Sequence, residues 1–155
     1  MTFTAFFYEP VTTDKKIRKK NSGRIIIKAR EGNTRSYTGD FNEKKTYLFM
    51  IEAQPGNYAF TQYNYLDHIG YSGMVTSSQK FSIPFTVSAG TINYIGELSY
   101  NDMAQPGSPR IIVGTNVERD LPEFRKKYTN INFDAVTNNP VKSGNTGNGI
   151  ILFTE

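Results

Sequence analysis

Cysteine and tryptophan are absent from the 155-residue chain, and histidine occurs once, as His68. Without a thiol there is no cysteine nucleophile, no zinc–thiolate site and no disulfide framework. A single imidazole likewise excludes a two-histidine metal site. No stretch approaches the roughly 18 consecutive apolar residues of a membrane-spanning helix. The N-terminal "MTFTAFFYEP" is apolar, yet it has neither the basic region nor the apolar length of a signal peptide. The chain therefore reads as cytoplasmic, or as an exported protein given without its export signal. Missing cysteine does not fix the compartment. A chain of this length suits one domain, here residues 1–155, that buries about two-thirds of its unfolded surface without a staple.

What is present is aromatic, β-branched and unevenly charged. Tyr and Phe supply the 14% of aromatic residues, and with many Val, Ile and Thr they favour sheet over helix. The net charge is +4. Behind Asp14 come Lys15, Lys16, Arg18, Lys19, Lys20, Arg24, Lys28 and Arg30. Setting aside these eight of 18 bases and that one of 14 acids leaves ten bases against thirteen acids elsewhere. The basic character belongs to one segment.

Along the chain, "TFTAFFYEP" reads as a first strand and "RIIIKAR" as a second. Between them lies a polar connection, and residues 11–23 and 137–149 are expected to be flexible loops. "KTYLFMIEA" reads as a strand buried on both faces, and "QPGN" as a type II turn. In the strand that follows, Tyr58 and Phe60 share one face while Tyr63 and Tyr65 share the other, a parity switch expected either from a bulge near Thr61–Gln62 or from a strand wetted on neither face. Phe81, Ile83, Phe85 and Val87 alternate with polar residues, and Ile92, Tyr94, Gly96, Leu98 and Tyr100 do the same. A hairpin turning at Ala89–Gly90 would set Phe85 opposite Tyr94 and Ile83 opposite Gly96. On that register Gly96 makes room for Ile83, and Glu97 points to solvent. "RDLPEFRKKY" predicts the single helix, capped by Asp120 with Glu123 completing the capping box. "RIIVGTN" and "IILF" complete an all-β sandwich of about seven or eight strands with one short helix.

Few constellations carry chemistry. Asp67 and His68 are adjacent, but neighbours in sequence rarely face one another, and the pair reads as a polar loop. No carboxylates show EF-hand spacing, and "GNTGNG" lacks both the Lys-Ser/Thr and the following helix of a phosphate loop. No catalytic residue, metal site or cofactor is expected. Two candidate binding groups remain. Tyr58, Tyr63, Tyr65 and Tyr71 could stack on a sugar or peptide, although half-buried sandwich tyrosines give the same pattern. Lys15, Lys16, Arg18, Lys19 and Lys20 could meet an anionic membrane or polysaccharide, although a solvated loop gives that pattern too. Nucleic acid is not expected as a partner, because the rest of the surface is net acidic and repels phosphate.

"QPGNYAF" resembles the Pro-Gly-x-Tyr turn and strand of transthyretin-like and carboxypeptidase-regulatory-like sandwich domains. "FTVSAGTINYIGEL", followed by "RDLPEFRKKY", is similar to a pattern in bacterial envelope lipoproteins that carry such sandwiches. The likeness spans about residues 24–130 and implies an immunoglobulin/transthyretin-like sandwich in an exported, lipid-anchored protein. It brings no catalytic residue, and the lipid-bearing cysteine of that pattern has no counterpart in this sequence. The expected function is a non-enzymatic module of the cell envelope, for binding or for structure. The alternatives are a carbohydrate- or peptide-binding domain using the tyrosines, and a hydrolase whose residues carry no recognisable motif.

Overall fold

The computed structural model describes residues 2–26, 46–69, 72–78, 80–100, 111–134, 136–138 and 151–153. In chain order the elements are β1 (Thr2–Pro10), α1 (Lys15–Asn21), β2 (Gly23–Ile26), β3 (Gly56–Ile69), β4 (Ser72–Ser77), β5 (Ile83–Val87), β6 (Asn93–Tyr94), β7 (Glu97–Tyr100), β8 (Ile111–Gly114), α2 (Val117–Lys127), β9 (Thr137–Asn138) and β10 (Ile151–Phe153). Among the described residues the fold is β-rich, with mostly antiparallel strands and two helices where the sequence predicts one.

The largest sheet is built on β3. Strand β1 runs antiparallel along one edge of it and carries β2 on its far side. On the other edge β4 pairs with residues 64–69 and β5 with residues 56–60, so two short strands lie end to end along one long one. The gap between them is bridged by Ser78, whose N–H donates to the Tyr63 carbonyl, and by Phe81, whose N–H donates to the Thr61 carbonyl. The Ser78 hydroxyl also accepts the Tyr63 N–H at 3.0 Å. β7, β8 and β10 form a second sheet, and β6 with β9 a third.

Of the two causes expected for the parity switch in β3, the bulge is the one found. Phe7 pairs with Gln62 and Tyr8 with Phe60, which leaves Thr61 as the extra residue of a bulge. One inserted residue reverses the alternation, so Tyr58, Phe60 and Tyr63 all reach the same core. There they join Phe6, Phe81, Ile83, Phe85 and, from the second sheet, Ile111 and Val113. Phe6 meets Phe60 edge-on at 5.3 Å between ring centroids, and Phe60 lies 4.7 Å from Phe85. Such ring pairs contribute about 0.5–1.5 kcal/mol each beyond simple burial. Tyr8 lies over Gly23, where an added Cβ would stand 2.3 Å from the tyrosine oxygen. A side chain at that position would have to displace the Tyr8 phenol.

Several expectations are corrected. Phe81, Ile83 and Phe85 are buried as their alternation requires, but their strand pairs with β3 and not with the residues after the turn. Phe85 lies opposite Tyr58, and Tyr94 belongs to the parallel β6–β9 pair. Alternation fixes which face is apolar. It leaves the partner open, and the free edge of β3 beyond β4 offers Tyr58 as a stacking partner for Phe85. Gly96 consequently does not face Ile83. It separates β6 from β7 with φ of +103°, a conformation that side chains other than hydrogen rarely adopt. Residues 47–54 lie outside any strand, with Phe49, Ile51 and Ala53 against the core and Met50 exposed. Gly56 has a φ of +153° and opens β3, so "QPGN" is a bend and not a type II turn. His68 lies within β3, opposite Gly73, and not in a loop.

Candidate functional site

The segment expected as a mobile basic loop is a capped helix. Val11 leaves the sheet after its N–H donates to the Asn57 carbonyl at 2.9 Å. The Thr12 hydroxyl accepts the Asp14 N–H at 3.1 Å, and the Asp14 carboxylate then accepts the N–H groups of Lys16 at 2.8 Å and Ile17 at 3.2 Å. This is an N-cap, which contributes about 1 kcal/mol to helix formation. The Arg18 guanidinium reaches back to the Thr12 carbonyl. At the other end, the Ser22 N–H and hydroxyl both donate to the Arg18 carbonyl, and the Asn21 amide donates to that of Ile17. These bonds hold seven residues that would not stay helical alone. Like charges at Lys15–Lys19 and Lys16–Lys20 oppose the helix by about 0.2–0.5 kcal/mol per pair.

Lys15, Lys16, Arg18, Lys19 and Lys20 are all exposed, and α1 buries none of its residues. Among the described residues no carboxylate lies within ion-pair distance of these cations. Asp14, the acid beside them, is engaged by the helix backbone. Arg24, exposed on β2, follows the helix. Among the described residues, the arrangement is an exposed cationic turn without an ion-paired carboxylate, on a backbone capped at both ends. An anion brought to it would relieve the repulsion between its own side chains.

The tyrosines fare differently. Tyr58 is 2% exposed and Tyr63 3%, both within the aromatic core. The Tyr58 hydroxyl donates to the Gln54 carbonyl at 2.7 Å. Neither offers a ring face to a ligand, which corrects their place among the candidate binding residues. Tyr65 is in β3, opposite Phe3 and Thr76, while Tyr71 lies outside the described residues, as do Lys28, Arg30 and the glycine-rich "GNTGNG".

A second polar constellation has no counterpart in the sequence reading. The Tyr94 hydroxyl donates to Asp120 at 2.6 Å and accepts the Asn116 N–H at 3.0 Å. Arg119 donates through Nε to the other Asp120 oxygen at 2.7 Å, and through its terminal nitrogen to Glu97. Ser99 donates to Glu97 at 2.8 Å. Asp120 is 5% exposed, so the expected cap is instead an interior carboxylate, and α2 begins at Val117 with Asn116 before it. Glu97, expected in solvent, is tied to Arg119. Burial and the neighbouring Asp120 carboxylate push the Tyr94 phenol well above its ordinary value. Burial alone would lower Arg119, but Asp120 and Glu97 outweigh it and raise the guanidinium. One oxygen of Asp120 pins α2 to β6 through Tyr94, and the other holds Arg119, whose guanidinium ties α2 to Glu97 of β7, so the cluster fastens elements together. Its trace in the sequence is "ERD" in the first turn of α2, with no hint that Tyr94 is its partner.

Among the described residues, no cluster of His, Asp and Glu could hold a metal ion, and no helix is long and apolar enough to cross a membrane. Compared with known proteins, the chain matches no family model, no curated protein and no solved structure.

Proposed function

We propose that the chain is a non-enzymatic module of the cell envelope that binds an anionic surface through α1. The observation that carries this reading is the exposure of Lys15, Lys16, Arg18, Lys19 and Lys20 on one capped helix with, among the described residues, no ion-paired carboxylate. The recognised chemistry is that of clustered phosphate or carboxylate groups, as on lipid headgroups or an acidic polysaccharide. The core supports a sandwich as the carrier, since Ile111 and Val113 of the smaller sheet pack with Phe60 and Ile83 of the larger. The likeness of "FTVSAGTINYIGEL" and "RDLPEFRKKY" to a pattern in bacterial envelope lipoproteins supports the compartment. The use of Asp120 in holding α2 supports a structural role for the buried carboxylate over a catalytic one.

Retention on an anionic surface tests the reading. Each Lys or Arg near such a surface contributes about 1 kcal/mol, so four substitutions should weaken binding by roughly a thousandfold. The wild type should bind phosphatidylglycerol vesicles or polygalacturonate beads at low salt and detach at high salt. Lys15/Lys16/Lys19/Lys20→Ala should bind neither, while Arg125/Lys126/Lys127→Ala, which also removes positive charge, should bind as the wild type does. Equal losses in the two variants would trace the attraction to net charge and refute a site at α1.

A further inference from the structure

Resting on that reading, we infer that the anionic surface is a lipid bilayer, met at headgroup depth by Val11 and Ile17 together with the α1 cations. Val11 is 65% exposed and Ile17 47%, so the segment that carries the charge also presents two aliphatic side chains to solvent. Their placement matters. At 3.6 residues per turn, Ile17 is flanked by Lys16 and Lys20 on one side and by Arg18 on the other, with Lys15 and Lys19 opposite. An aliphatic group so framed can enter the headgroup layer while the long cationic stems beside it bend back to phosphate. A dissolved polyanion offers charge to these cations but no apolar phase for the two aliphatic residues. Charge complementarity therefore selects an anionic surface, and the exposed Val11 and Ile17 select lipid within that class.

The two side chains can be changed without disturbing the core, since α1 buries nothing and the Val11 bond to Asn57 is made by its backbone. Val11→Ser/Ile17→Ser is compared with the wild type on vesicles of phosphatidylglycerol and phosphatidylcholine, and on polygalacturonate beads, with helix content checked by circular dichroism. The variant should lose roughly tenfold or more in vesicle affinity, because two apolar groups no longer leave water. Its bead binding should equal that of the wild type. Unchanged vesicle affinity in the double variant would overturn the lipid assignment while leaving the anionic-surface reading intact. So would a wild type that binds beads and not vesicles. A wild type that binds neither would overturn both.

Discussion

Replacing Tyr94 with Phe removes one oxygen and leaves the ring, so it isolates what the hydroxyl contributes. That oxygen donates to Asp120 and accepts from Asn116, and the two losses are unequal. Asn116 is exposed, so its N–H can turn to water, whereas Asp120 is buried. A hydrogen bond to a charged acceptor contributes roughly 1.5–3 kcal/mol. Tyr94→Phe should therefore destabilise the fold by about 2 kcal/mol at neutral pH. Alkaline pH gives an independent readout. The phenol is held above its ordinary value of 10.0, first by burial and then by Asp120, while the unfolded chain ionises near that value. Below pH 10 both states keep the proton and the contribution is complete. As pH rises further the unfolded state loses the proton and the folded state retains it. Stability then falls by about 1.4 kcal/mol per pH unit from this group, until the folded phenol ionises as well. The variant lacks that proton, so its stability should fall less steeply above pH 10. With no tryptophan in the chain, urea unfolding is best followed by far-UV circular dichroism at neutral pH and across the alkaline range. An unchanged midpoint at neutral pH, or parallel alkaline slopes for the two proteins, would refute the assigned role of the hydroxyl.

Phe85→Ala should cost roughly 3–5 kcal/mol, the range for emptying a core aromatic site, and a denaturant midpoint that barely moves would contradict its burial against Tyr58 and Phe60. Gly23→Ala should cost about 1–3 kcal/mol, because the new methyl displaces a Tyr8 ring that is itself packed on Tyr58, Phe60 and Phe85. Coupling measured in a double-mutant cycle with Tyr8→Ala checks it, and strictly additive effects would place the clash elsewhere.

What the sequence revealed was governed by side-chain pattern, and what it hid was governed by partners. Phe81, Ile83 and Phe85 announced a buried face, and the parity of Tyr58, Phe60 and Tyr63 offered a bulge near Thr61–Gln62 as one of two readings. Strand pairing was not legible, because Phe85 packs as well against Tyr58 as an alternation pattern would allow against Tyr94. The basic helix escaped because a run of cations has no apolar period, and its stability comes from Thr12, Asp14 and Ser22 at the ends. A Thr-Thr-Asp cap before residues of good helix propensity was the available signal. Asp120 misled for the opposite reason. An acid three residues before Glu123 looks like a cap, and only the fold shows that Tyr94 and Arg119 claim it. For the candidate site, the cations were legible by charge, whereas their rigid presentation and the exposure of Val11 and Ile17 were not.

The independence of α1 from the interior separates two kinds of selection on this chain. Because no residue of the helix is buried, cations there can be gained, lost or reversed in sign while the aromatic core continues to specify the same sheets. On the proposed reading of α1 as a binding element, attachment strength can therefore drift, sharpen or vanish between descendants without a compensating change in the scaffold. The converse holds as well. Core repair after a damaging substitution leaves the charge of α1 as it was, so one architecture can carry a cationic helix of quite different charge density.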